Sequence, residues 1–172
     1  YPDELFYSVL CRYYLSSGIK EHYLVKKQLF GTKAGVKMAT LYPNATVHAA
    51  LLQLPDGVFD ERDMILRHTP FLYYTRMYPQ QEREVLLDDL VQGRSKTPTH
   101  LWKTFPKDDY ALRYCPSCVQ EDTQIYGEPY YHVEHQIPLS SVCVRHRCRL
   151  KQIAIDNPRL ALNNRFYPLG TV

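Results

Sequence analysis

The chain has 172 residues, enough for one domain or two small ones, with 45% hydrophobic residues, 13% aromatic residues and a formal net charge of +3. No apolar run reaches the length of a membrane span, and a pI near 8.5 is too mild for the global field alone to argue for nucleic acid. Five cysteines, an odd and sparse number, fit an intracellular metal site better than a secreted disulfide framework. The chain opens on Tyr1 and closes on "NRFYPLGTV" with no polar tail, so both ends read as cut points of a longer protein.

The first two-thirds reads as helices. Pro2-Asp3-Glu4 is a start signal with acidic residues in the first turn, Leu5, Val9 and Tyr13 follow at four-residue spacing, and Gly18 is the stop. A second helix is predicted from about Glu21 to Phe30, ending at Gly31. "GTKAGVKM" is a glycine-interrupted connection, after which Asn44 begins "ATVHAALLQL" and Pro55 closes it. Asp60 caps "ERDMILRH". Thr69-Pro70 restarts a short helix, with proline at a tolerated first-turn position. Pro79 opens "QQEREVLLDDLVQ", which Gly93 ends. Three consecutive helices over roughly residues 3 to 54, with a turn between the second and third, match a helix-turn-helix, and plain helical packing gives the same pattern.

Residues 94–109 are polar, basic and broken by two prolines, with Trp102 and Phe105 inside. Beyond them, "LRYCPSC" and "SSVCVRHRCRLKQIAI" alternate and predict short strands. The expected architecture is mainly α with a small β-containing zinc-binding unit. It comprises a helix-turn-helix-like helical domain at 1–93, a basic linker at 94–109 and a zinc-binding domain at 110–172.

Cys115-Pro116-Ser117-Cys118 is followed downstream by Cys143-Val144-Arg145-His146. A two-residue gap lets one tight turn aim both side chains at a point, and two such turns supply the four soft or borderline ligands of tetrahedral Zn2+. Four protein ligands leave no open position for water, which makes the expected ion structural. Cys148 is the alternative to His146, and the symmetry of two x2 turns favours His146. His132 and His135 lack other ligands nearby and are left out of the set. Cys-Pro-x-Cys also occurs in glutaredoxin-like thiol exchangers, but there it follows an early strand in a βαβ setting, whereas here a long helical pattern comes first.

On a strand, Arg145, Arg147, Arg149 and Lys151 would line one face, opposite His146, Cys148 and Leu150. Such a stripe suits phosphates or an acidic partner, and a solvated strand face has the same pattern. Arg94, Lys96, Lys103 and Lys107 add positive charge just before it. No glycine-rich phosphate loop and no Ser, His and Asp arrangement at motif spacing is present, so no enzyme activity is expected.

"RYCPSCVQED…YGEPYYHVEHQIPLSSVCVRHRCRL" resembles the zinc-binding signature of the TniQ/TnsD family, the target-site selectors of certain transposons. "YPDELFYSVLCRYYLSSGI" and "HTPFLYYTRMYPQQER" are similar to that family's start and middle, so the resemblance covers nearly the whole chain. It implies a helix-turn-helix-like part joined to a zinc-binding part, with Cys115, Cys118, Cys143 and His146 as ligands. It also implies a cytoplasmic, bacterial, DNA-associated protein without catalytic activity, which finds the insertion site on double-stranded DNA. Such a protein recruits an AAA+ ATPase regulator, TnsC, which brings the transposase. Full-length TnsD-type members are longer than this chain, whereas short TniQ members work beside an RNA-guided complex. The long insert and helical middle are closer to the TnsD type. A transcription-factor-like DNA module is the rival reading, and it needs no ATPase.

Overall fold

The computed structural model describes residues 1–31, 46–53, 59–94, 111–156, 161–162 and 164–171. Among the described residues, six helices precede the metal motif: α1 (Phe6–Ser17), α2 (His22–Phe30), α3 (Thr46–Leu51), α4 (Glu61–His68), α5 (Phe71–Thr75) and α6 (Gln80–Val91). A two-residue strand β1 (Arg113–Tyr114), helix α7 (Pro116–Tyr126), a 3-10 turn (Glu134–Gln136) and strand β2 (Lys151–Gln152) follow. The architecture is therefore mainly helical with one small antiparallel sheet, in which Arg113 faces Gln152 and Tyr114 faces Lys151. Among the described residues, no helix is long and apolar enough to cross a membrane.

Local signals explain most helix ends. Gly18 takes a left-handed φ of 67° after α1. Asp60 Oδ1 accepts from the Asp63 amide at 2.9 Å and satisfies a first-turn donor of α4. Gly93 ends α6 with a left-handed φ of 64° that suits glycine, and a Cβ there would lie 2.5 Å from the His48 ring, which would have to move. The connection expected between α2 and α3, and Asn44 and Pro55 with it, lies outside the described residues.

Three local expectations are corrected. The acids before α1 are not in its first turn, because Phe6 is the first helical residue. Asp3 instead sits in a turn with a left-handed φ of 53°, and Glu4 forms an antiparallel bridge with His132: Leu5 N donates to Tyr131 O at 2.7 Å and Val133 N to Asp3 O at 2.8 Å. Long-range pairing has overridden a local helix signal. Second, the strand read from "LRYCPSC" ends at Tyr114, since Pro116 is the first residue of α7, with Cys115 as its cap and Gly127 as its stop. Third, residues 143–149 are a turn and not a strand. Cys143 N donates to Cys148 O at 2.9 Å, and Arg147 takes a φ of 53°, so Arg145, Arg147, Arg149 and Lys151 do not line one strand face.

One buried cluster draws on both sides of the 94–109 segment. It includes Leu5, Tyr7, Leu10, Val25, Leu29, Val47, Ile65, Leu87 and Leu90 from the first side, and Leu112, Tyr131, Leu162 and Phe166 from the second. Each such side chain contributes ~1.5–3 kcal/mol of transfer free energy when fully buried. Hydrogen bonds add direction: Tyr7 OH donates to Arg165 O at 3.0 Å and Tyr131 OH to Tyr167 O at 2.8 Å. The metal motif is thus carried by chain that shares a core with the helices.

Candidate metal centre

The site is built from two turns of the same design. In the first, Cys115 caps α7, and its Sγ accepts from the Cys118 amide at 3.4 Å. In the second, Cys143 Sγ accepts from the His146 amide at 3.4 Å, while Arg147 N donates to Cys143 O at 2.8 Å. At Cys115 this amide favours the ionised sulfur and opposes, without outweighing, the effect of burial.

Gln136 positions the first turn. It is buried, its Oε1 accepts from Arg113 N at 3.0 Å, and its Nε2 donates to Arg113 O at 2.8 Å. This side chain replaces a neighbouring strand along β1 and fixes the backbone two residues before Cys115. β2 pairs on the other edge, and Ile153 N donates to Leu112 O at 3.0 Å. The second turn is closed at its base by the Val142–Arg149 bridge and by Leu150 N donating to Ser141 O at 2.9 Å.

The two turns bring Cys115, Cys118, Cys143 and His146 together, with one ligand atom of each within 4.8 Å of all the others. His146 Nδ1 lies 3.6 Å from Cys115 Sγ, 3.3 Å from Cys118 Sγ and 3.7 Å from Cys143 Sγ, and Cys118 Sγ lies 3.8 Å from Cys143 Sγ. A Zn2+ tetrahedron with ordinary bond lengths has S···S edges of about 3.8 Å and S···N edges of about 3.6 Å. The donor set therefore fits the ion in type and in spacing. The three sulfurs are buried and His146 is partly exposed. Burial first, and then the neighbouring thiols Cys115 and Cys143, hold the Cys118 thiol well above its ordinary range; Cys115 is raised as well, again chiefly by burial. A cation among them reverses that preference, because a coordinated thiol ionises.

Cys148 and His135 stand beside this set. Cys148 Sγ approaches Cys115 Sγ at 3.2 Å, and His135 Nε2 lies 3.9 Å from Cys118 Sγ. His135 also groups with Glu134 and Cys143, and so shares a residue with the four-ligand cluster. His132 points away, with Nε2 2.9 Å from Asp122 Oδ2.

The basic candidates are spread out. Arg94 is exposed and pairs with Asp89 at 3.0 Å, while Lys96 and Lys103 lie outside the described residues, as do Lys107, Trp102 and Phe105. Arg145 is half-exposed and bonded to Glu121 Oε1 at 3.0 Å; Arg147, Arg149 and Lys151 are exposed. The sequence reading missed Glu121, Asp122 and Gln136. Glu121 and Asp122 stand three and four residues after Cys118, a spacing that puts them on the ligand's face once 116–126 is a helix.

These features define a mainly helical chain with a buried Cys3His cluster that could hold a metal ion. The TniQ family model matches residues 1–150, and the chain belongs to that family. It is also 26% identical over 174 residues to the transposon Tn7 transposition protein TnsD of Escherichia coli. That alignment covers 99% of this chain and 33% of the relative, so the chain spans about a third of the relative's length. Both matches mark a transposon-associated protein.

Proposed function

We propose that this chain is the targeting part of a transposition adaptor. It holds one Zn2+ through Cys115, Cys118, Cys143 and His146, binds double-stranded DNA, and recruits an AAA+ ATPase of the TnsC type that brings the transposase. The observation that carries the reading is the extent of the family match, which takes in the helices and both metal turns. The zinc contributes no chemistry to a reaction; it fixes short segments that could not pack alone and presents them as a rigid surface. α1 to α3 supply the helix-turn-helix-like unit for DNA, and the turn bearing Arg147 and Arg149 supplies phosphate contacts. The similarity to TnsD over the whole chain supports the TnsD type over a short member working beside an RNA-guided complex.

Thiol exchange is disfavoured as an alternative, since it needs an accessible, acidified thiol and burial raises Cys115. The adaptor reading is tested by mixing the zinc-loaded chain with its cognate ATPase, ATP and double-stranded DNA, then sedimenting or imaging the assembly. Co-assembly that depends on nucleotide and DNA is expected. DNA binding without any association with the ATPase would favour the transcription-factor-like module.

A further inference from the structure

We propose that Glu121 is a positioning residue for the metal centre: its carboxylate accepts a hydrogen bond from the Nε2–H of His146 and holds Nδ1 toward the ion. The inference rests on the metal reading above and concerns how one ligand is aimed.

The geometry begins with α7. Cys118 and Glu121 lie three residues apart on this helix and so share a face. That face looks toward the second turn, where Arg145 and His146 are adjacent and both reach back to one carboxylate. Arg145 donates to Glu121 Oε1 at 3.0 Å, and His146 Nε2 lies 3.3 Å from Glu121 Oε2. Oε2 is buried and has no aligned hydrogen-bond donor among the described residues, so the imidazole is the group placed to satisfy it. On the far side of the ring, Nδ1 is the atom that meets the three sulfurs at 3.3–3.7 Å.

A neutral imidazole carries one proton and one lone pair, and the hydrogen bond at one nitrogen decides which is which. A carboxylate at Nε2 places the proton there and frees the Nδ1 lone pair for the ion. It also makes the imidazole a more basic ligand, and loss of such partners typically weakens metal binding about 10–100-fold. Arg145 belongs to the same device: by pinning Oε1 it fixes the rotation that brings Oε2 to the ring.

The test measures Zn2+ affinity of the full chain by chelator competition and ligand geometry by the Co2+ visible spectrum. Wild type, Glu121→Ala, Glu121→Gln and both Glu121→Ala and wild-type Glu121 in a His146→Cys background are compared. Glu121→Ala is expected to weaken Zn2+ binding about 10–100-fold and to shift the Co2+ bands. Glu121→Gln, whose amide oxygen still accepts from Nε2, is expected to recover most of that loss. In the His146→Cys background, where no imidazole needs aiming, Glu121→Ala should cost nothing further. Unchanged affinity in Glu121→Ala overturns the proposal. So does an equal loss in the Ala and Gln variants, or an equal cost in the His146→Cys background, since either marks a general structural role. Absence of metal binding by the wild-type chain would instead overturn the metal reading itself.

Discussion

His132 Nε2 sits 2.9 Å from Asp122 Oδ2, with both side chains buried, and the pair links α7 to the segment that bridges Glu4. Asp3 Oδ2 lies 3.6 Å from the other ring nitrogen, Tyr130 stacks on the ring at 4.4 Å and His135 lies at 4.9 Å. Burial pulls the imidazole's pKa down, but Asp3 and Asp122 together outweigh it and leave it raised above its ordinary 6.5. A raised folded value means the folded state binds the proton more tightly than the unfolded chain does. The stability from this pair is therefore fully present below about pH 6.5 and is lost as pH rises through the folded value. Urea midpoints measured from about pH 6 to 9 should fall more steeply for the wild type than for His132→Gln. Parallel curves would show that folding leaves the His132 pKa unchanged, and a wild-type midpoint that rises between about pH 6 and 7 would show that the ring is held neutral in the fold. Zinc content should be the same in both proteins, because His132 is no ligand.

A second buried charge lies nearby. Glu4 is wholly buried, and Arg12 meets it with two bonds, Nε to Oε1 at 2.9 Å and NH2 to Oε2 at 3.1 Å. Removing one partner of a buried pair typically costs ~3–5 kcal/mol when the other is left uncompensated, but the Tyr1 amino group also meets Glu4 Oε2 at 3.0 Å and shares its charge. Arg12 is itself 31% exposed, which lets water reach the site and lowers the expected loss. Arg12→Met should cost about 3 kcal/mol in urea unfolding. A loss below about 1 kcal/mol would mean that the Tyr1 amino group, water or a proton compensates the carboxylate instead.

Helix ends were legible in the sequence wherever the signal is local. Gly18, Gly31, Asp60 and Gly93 act through their own backbone or an adjacent amide, and each stands where a helix starts or stops. The four clustered residues were legible for a similar reason, since an x2 turn is a local geometry. Asp3 and Glu4 were not, because the residue types that open a helix were used here to pair with chain more than a hundred residues away. Alternation in "LRYCPSC" suggested a strand through the motif, although Pro116 and Gly127 bracket a helix. Glu121 was hidden behind that error. Its role appears only when 116–126 is helical and 143–149 is a turn folded back on it.

The turn also changes what the arginines can do. Arg145 is engaged by Glu121, whereas Arg147 and Arg149 are exposed. DNA binding by this chain should be weak and carried largely by phosphates. Each phosphate contact contributes about −0.9 to the slope of log affinity against log salt. Replacing Arg147 and Arg149 together by Ala should flatten the slope by up to about 1.8 and weaken all sequences alike. An unchanged slope in a folded, zinc-loaded variant would assign both residues to a protein partner or to solvent.

The identity of the fourth ligand yields the sharpest prediction. Cys148 Sγ is 3.2 Å from Cys115 Sγ, close enough to suggest a four-sulfur site. Yet the atoms that all lie within 4.8 Å of one another are those of Cys115, Cys118, Cys143 and His146, and Cys148 is not among them. A tetrahedral ligand must approach the other three about equally, and Cys148 reaches toward Cys115 from outside that set. Cys148→Ser should therefore keep one zinc per chain by elemental analysis, and His146→Ala should lose it or bind it far more weakly. The opposite pattern would make Cys148 the ligand. Cys115→Ser serves as the reference, since it removes a ligand under either assignment. Structural zinc contributes ~10–16 kcal/mol of apparent binding free energy, comparable to or larger than the ~5–15 kcal/mol that stabilises a whole domain. Its loss should unfold the chain after residue 110, seen as protease sensitivity there. A Cys115→Ser protein that remains folded and zinc-loaded would rule out both ligand sets.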